Sequence, residues 1–187
     1  MRSYQITEWC HELFSLQAVK GGFYIDATMG NGYDTLFLCR LAEENGQVIA
    51  FDIQEKALEA TRKLLAKEGM EERARLVLDS HVNMGKYVQE DSVDGICFNF
   101  GYLPGGDHAL ATQPETSKKA LKVGLELLKK GGVMSLCIYT GGDTGFEEKE
   151  VLMNYIKELD ERKYVVIVSS YYNRKNNPPI PVLIIKK

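Results

Sequence analysis

Short apolar runs alternate with amphipathic stretches along nearly the whole chain, and that rhythm constrains the fold more than any other feature. Residues 23–27, 48–51, 74–78, 93–98 and 133–139 read as buried strands. Residues 33–44, 54–68, 115–130 and 147–161 carry apolar side chains at helical spacing. Ala57, Leu58, Thr61, Leu64 and Leu65 mark one such face. Residues 4–19 read as an opening helix, with Ile6, Trp9, Leu13, Leu16 and Val19 near that spacing and Gly21-Gly22 ending it. Gly131-Gly132 is expected to stop the 115–130 helix. Strands that alternate with helices pair as a parallel sheet covered on both faces. The ending differs. Residues 164–170 and 182–186 are strands with no helix between them, which predicts an antiparallel addition at one edge. The expectation is an α/β fold with a seven-stranded, mostly parallel sheet and an antiparallel edge hairpin. Its 187 residues suit one domain, 1–187.

Composition narrows the setting. With 44% hydrophobic and 26% charged residues, the chain has the balance of an ordinary globular protein. No apolar run approaches the roughly 18 residues of a membrane helix, and residues 1–5 open no signal-peptide core. A cytoplasmic protein without a membrane partner is expected. Cys10, Cys39, Cys97 and Cys137 form no C-x-x-C pair, so buried thiols are expected and a metal site is not. The net charge of −3 does not advertise a nucleic-acid binder. Its distribution matters more. No acidic residue follows Glu161, whereas Arg174, Lys175, Lys186 and Lys187 do. Lys118, Lys119, Lys122, Lys129 and Lys130 cluster on a predicted helix, where a merely solvated face is the competing reading.

The turn after the first strand, 26–35, carries Gly30 and Gly32, which permit a tight turn and close approach of backbone to a ligand. A dinucleotide fingerprint would place a third glycine where Thr35 stands. Asp26 would repel a pyrophosphate and attract the aminopropyl cation of S-adenosylmethionine. Asp26, Met29, Gly30, Asn31, Gly32, Asp34 and Thr35 are therefore the first candidate cofactor residues. Asp52 ends the second strand 20 residues after Gly32, where an acid hydrogen-bonds the ribose hydroxyls of an adenosine cofactor, and Ile53 and Gln54 follow it. A helix N-cap is the plainer role for Asp52. Asp79, Ser80 and His81 end the third strand, where the adenine would lie.

The fourth strand runs into Asn99, then Tyr102, Leu103, Pro104, Gly105 and Gly106. Asn99 and Tyr102 have the spacing of the Asn-Pro-Pro-Tyr motif of amine-methylating enzymes. An amide oxygen can aim an amine's lone pair, and an aromatic ring can stack on the attached base. The plain alternative is a Gly-Pro turn. An aliphatic amine must lose a proton before it attacks, and Asp107 and His108 are candidates to receive it. Asn99, Tyr102 and Asp107 form the candidate catalytic set. Asn99 also borders the cofactor. Tyr139, after the fifth strand, either lines the acceptor pocket or belongs to a simple turn.

Five strand-helix units closed by an antiparallel pair is the layout of the Rossmann-like class I methyltransferases. The 26–35 turn, the Asn99–Gly106 loop and the run Asn176-Asn177-Pro178-Pro179 together resemble a small bacterial family labelled rRNA methylases, over essentially the whole chain. Members of that family look like tRNA methyltransferases. They convert 5-aminomethyluridine at the wobble position, 2-thiolated or not, to its 5-methylaminomethyl form. The resemblance implies S-adenosylmethionine as cofactor and a tRNA anticodon stem-loop as partner. It places cofactor contacts at Asn31, Gly32, Asp34, Thr35, Asp52, Gln54, Ser80 and His81. In that family a histidine often follows the Tyr-x-Gly after strand five. Gly142 stands there in this chain and removes that histidine from consideration. Arg174 and Lys175 join the substrate-binding candidates, because an RNA stem-loop needs only a local basic face. A homodimer is left open. The alternatives are an rRNA or small-molecule methyltransferase with the same cofactor site, a non-catalytic RNA-binding module, and a nicotinamide oxidoreductase, which Asp26 and Thr35 disfavour.

Overall fold

In a computed structural model, described over residues 4–101, 112–139, 145–175 and 177–187, the seven expected strands join one sheet. They are β1 (Phe23–Asp26), β2 (Gln47–Asp52), β3 (Ala74–Leu78), β4 (Val93–Phe100), β5 (Leu128–Ile138), β6 (Tyr164–Val168) and β7 (Ile180–Lys186). The helices are α1 (Ile6–Ser15), α2 (Tyr33–Ala42), α3 (Glu55–Lys67), α4 (Pro114–Leu127) and α5 (Gly145–Lys157). The strand order is β3-β2-β1-β4-β5-β7-β6. The pairings from β3 to β5 are parallel. β7 is antiparallel to both β5 and β6, so β7 alone is reversed, and it slots between β5 and the edge strand β6.

Alternation along the strands splits the core into two layers. Tyr24, Val48 and Cys97 pack with Phe14, Leu38, Cys39 and Leu65, which puts α1, α2 and α3 on one face. Ile25, Phe51, Ile96 and Phe98 pack with Met84, Leu121, Leu125, Leu152 and Ile156, which puts α4 and α5 on the other. A parallel sheet covered on both faces needs apolar residues at nearly every inner position. β4 supplies them from Val93 to Phe100, with only Asp94 and Asn99 less than buried.

Several boundaries differ from expectation, and α5 spans Gly145–Lys157 rather than 147–161. α1 ends at Ser15, because the amides of Gln17 and Ala18 turn back onto the carbonyl of Phe14. Its buried residues are Cys10 and Phe14, and Leu16 and Val19 are exposed. α4 ends at Leu127, where the chain turns extended at Leu128. The Nζ of Lys186 donates to the carbonyls of Leu125 (3.1 Å) and Leu128 (2.7 Å), and the amides of Asp91 and Ser92 take those of Glu126 and Leu127. Lys129, Lys130 and both glycines therefore lie in β5. Between β3 and β4 the chain uses only a 3-10 turn, His81–Lys86, anchored by buried Met84.

This topology sets the site. β1 lies between β2 and β4, so the chain's two directions of travel across the sheet part there, and ligands of such sheets bind at the carboxyl ends beside that point. Reversal of β7 brings residues 169–175 and 177–179 to the same rim, since Ile180 pairs with Ile138.

Candidate cofactor and acceptor site

The turn from β1 to α2 closes around Asp26. Its carboxylate is fully buried. It accepts from the Thr28 amide (3.1 Å) and the Thr35 hydroxyl (2.6 Å). Burial, and then the neighbouring charge of Asp34, push this carboxyl well above the usual range. The charge expected to meet a cation is thus turned inward, where it clamps the two ends of the turn. The amide of Met29 bonds the carbonyl of Phe51 on β2 (2.9 Å). Gly32 has φ +83°, and a Cβ there would lie within 2.9 Å of Thr61 on α3. Thr61 also donates to the Gly30 carbonyl (3.2 Å). The glycines let the start of α2 press against α3. Gly32, the N-cap of α2, has no side chain to cap it, so among the described residues its first amides remain available at the rim, beside exposed Asn31.

Asp52 sits on that rim, partly exposed. One oxygen accepts from the Gly30 amide and the other from the Gln54 amide, both at 3.0 Å. Each oxygen keeps a further lone pair for a ligand hydroxyl. Ile53 and Leu78 are about half exposed, at 54% and 47%. They offer apolar surface on either side of Asp52, and Leu78 is its register partner on β3. The candidates of the third strand are half-exposed and are bonded within their own turn and to its neighbours. Asp79 accepts from the Ser80 amide and the Asn83 side chain (both 2.7 Å) and from the Tyr87 hydroxyl (2.9 Å). The Asn83 and Tyr87 bonds hold its carboxyl below the usual range. The Ser80 hydroxyl caps the 3-10 turn. The ring of His81 meets Phe98 edge-on and bonds the backbone of Ala27, and burial lowers its pKa to about 4.

At the end of β4, the Asn99 amide nitrogen donates to the Thr28 hydroxyl (2.7 Å). Its side-chain Nδ2 donates to Asp34 Oδ2 (2.6 Å). The other oxygen of Asp34 meets His11 Nε2 at 2.6 Å. His11 comes from α1 and stacks on Phe37 at 3.8 Å and 4°. Sequence reasoning did not single out His11. It lies 23 residues from Asp34, and no linear spacing joins them.

The acceptor candidates Tyr102, Leu103, Pro104, Gly105, Gly106, Asp107 and His108 lie outside the described residues. The ends of their segment are joined. The Thr112 hydroxyl accepts from the Gly101 amide (2.8 Å), and the Thr112 amide donates to the Gly101 carbonyl (3.0 Å). Beneath them, buried Glu148 accepts from the Ser117 hydroxyl (2.5 Å), and burial raises its pKa. Tyr139 packs against Gly101, its amide on the Phe100 carbonyl (3.0 Å). Burial pushes its phenol pKa up.

Of the basic residues, Arg174 and Lys175 reach this rim. The Arg174 guanidinium lies 3.9 Å from the Tyr171 ring centroid and donates to the Tyr4 carbonyl (3.0 Å). Lys175 is exposed, and Tyr172 is fully exposed. Lys186 and Lys187 do not join them. They end β7 at the opposite rim, with Lys187 Nζ on the Glu161 carbonyl (2.6 Å). Lys129 pairs with Asp94 (3.0 Å), and Lys118 lies over Tyr155.

Residues 48–185 match the profile of the family described as "Putative rRNA methylase". The chain belongs to this family. A protein of the same description from Clostridium thermocellum has a crystal structure 42% identical to this chain, with a TM-score of 0.95 and both chains covered in full. SMU.1697c of Streptococcus mutans, crystallised with SAH, is 38% identical, with a TM-score of 0.88 and full coverage of both. The chloroplastic "tRNA (mnm(5)s(2)U34)-methyltransferase" of Arabidopsis thaliana is 36% identical over 187 residues, covering 95% of this chain and 67% of that protein. This rRNA-methylase-family protein is an S-adenosylmethionine-dependent methyltransferase of the class I fold. Its rim suits that cofactor. It offers helix-start amides for a carboxylate, an acid with spare lone pairs for ribose, and flanking apolar surface for adenine. Among the described residues, no helix is long and apolar enough to cross a membrane.

Proposed function

We propose that this methyltransferase acts in the cytoplasm on the tRNA anticodon stem-loop. It would methylate the aminomethyl nitrogen of 5-aminomethyluridine, 2-thiolated or not, at the wobble position. The observation that carries the reading is the orientation of Asn99. With Nδ2 committed to Asp34, the group left without a partner among the described residues is the oxygen Oδ1, at the carboxyl end of β4. An amine that must point its lone pair at a methyl donor presents its hydrogens elsewhere, and an amide oxygen is their fitting acceptor. A carboxylate there would hold the amine as an ammonium and oppose attack. The Arabidopsis relative, named for this wobble nucleoside, supports the same acceptor.

S-adenosylmethionine, when bound, supplies a methyl group already activated on a sulfonium. The chain then has to bind, orient and take up a proton. In our reading the first amides of α2, with Gly30, Asn31 and Gly32, hold the amino-acid end of the cofactor. Asp52 holds the ribose, with Gln54 beside it. Ile53, Leu78 and the His81 turn flank the adenine. Tyr102, with Leu103, Pro104, Gly105 and Gly106, holds the flipped-out base, and Tyr139, packed on Gly101, borders the acceptor pocket. Asp107 takes the proton the ammonium must lose. Arg174 and Lys175 neutralise backbone phosphates, and Tyr172 offers a face for an unpaired base.

Mass spectrometry of wobble nucleosides from cells lacking this protein tests the proposal. Accumulated 5-aminomethyluridine, converted on adding the purified protein and S-adenosylmethionine, is the expected result. Normal wobble nucleosides with a methyl group missing from ribosomal RNA would favour the rRNA reading and end this one.

A further inference from the structure

We infer that His11 is a positioning residue for the acceptor site: acting through Asp34, it fixes which end of the Asn99 amide faces the substrate. The inference rests on the reading that Asn99 meets the acceptor amine. An asparagine amide has two ends of nearly equal size and opposite character, one a donor and the other an acceptor. Its backbone does not decide between them. The Asn99 backbone is held by Thr28 (2.7 Å), which leaves rotation of the amide plane free. An ionised carboxylate decides, because it only accepts. Facing Asp34 Oδ2 at 2.6 Å, Asn99 must present Nδ2, so Oδ1 is turned to the other side.

Asp34 needs a hold of its own to impose that choice. Its side chain is 12% exposed and lies close to buried Asp26, a second acid. Left with one partner, its carboxylate could rotate and release the amide. His11 Nε2 occupies Oδ1 at 2.6 Å and fixes the plane of the carboxylate. The imidazole is itself fixed, lying flat on Phe37 at 3.8 Å, and its side chain is only 22% exposed. The chain of contact thus runs from α1 through the start of α2 to the end of β4. α1 stands outside the repeating strand-helix units and outside the family-matched residues 48–185, and this contact gives it a part in the chemistry.

A merely structural alternative is that His11 docks α1, and four variants separate the two. His11→Phe keeps the ring stack and removes the nitrogen. His11→Gln restores a donor without the ring. Asn99→Ala and the double variant His11→Phe/Asn99→Ala complete a cycle. Each is measured for melting, S-adenosylhomocysteine affinity, and kcat and KM on tRNA carrying 5-aminomethyluridine, and the two variants that keep Asn99 also for its side-chain amide NMR signals. Positioning predicts that His11→Phe binds S-adenosylhomocysteine within about twofold of wild type, loses roughly tenfold in kcat with little change in KM, and shifts the Asn99 amide signals. His11→Gln should recover most of the turnover. The double variant should be no slower than Asn99→Ala, since the two residues act as one unit. Unmoved Asn99 signals in His11→Phe, or losses that simply add, would overturn the inference. Should the wild-type protein leave this tRNA unmethylated while His11→Phe still shifts the Asn99 signals, the substrate reading falls and the positioning of Asn99 stands.

Discussion

Asp26, Asp34 and Asp52 crowd one corner of the sheet, yet each carboxylate does a different job. Asp26 is buried on Thr28 and Thr35 and closes a turn. Asp34 is divided between His11 and Asn99. Asp52 holds two amides and still faces outward. Position in the sequence marks all three as site residues. It cannot assign their jobs, because burial and partners are tertiary facts. His81 shows the same gap, and its burial gives a pH dependence. The folded protein holds this ring neutral, with a pKa near 4 against an ordinary 6.5. A base with a lowered folded pKa contributes stability fully above pH 6.5, and that contribution is lost as pH falls from 6.5 toward 4. Urea midpoints of wild type should therefore drop more steeply over that interval than those of His81→Gln. Parallel curves would show that the ring is free to protonate in the folded state.

At the scale of elements, what was legible was what hydrophobic periodicity writes down. All seven strands were foreseen, and β3 to the residue. Helix ends were less legible, because partners far along the chain set them. α4 stops where Lys186, Asp91 and Ser92 claim its last carbonyls, so the Gly131-Gly132 pair, which reads as a helix stop, falls inside β5. The 3-10 turn after β3 is too short to show a period. The glycine turn was legible in kind, and the structure adds its steric reason. Gly21 and Gly32 both have positive φ, at +72° and +83°, but only at Gly32 would a Cβ strike a neighbour, Thr61. Alanine at either site pays the left-handed penalty of about 1–2 kcal/mol. Gly32→Ala should lose roughly 1 kcal/mol more than Gly21→Ala in denaturant melts, and should weaken S-adenosylhomocysteine binding, which Gly21→Ala should not. Equal losses would place the whole cost in the backbone angle.

Taken whole, the molecule keeps its candidate chemistry on one rim of the sheet. The sequence shows a basic tail but not which end of the sheet each cation occupies. That follows from the direction of β7, which divides the tail between the two rims. If Arg174 and Lys175 meet phosphate, Arg174→Glu/Lys175→Glu should weaken tRNA binding and flatten its dependence on salt by about two counterions, with S-adenosylhomocysteine affinity unchanged. Lys187→Glu, at the far rim, should leave tRNA affinity alone. A salt slope that is the same in the double variant and wild type would remove the loop from the interface.

The reversal of β7 also settles where appended sequence would travel. Tyr4 is tied by its carbonyl to Tyr171 and Arg174, beside the proposed RNA face. Lys187 pairs with Lys163 at the opposite pole. A domain fused after Lys187 would hang clear of an approaching tRNA, whereas one fused before Tyr4 would stand in its path. A tether to a surface or a fluorophore therefore belongs on the carboxyl terminus.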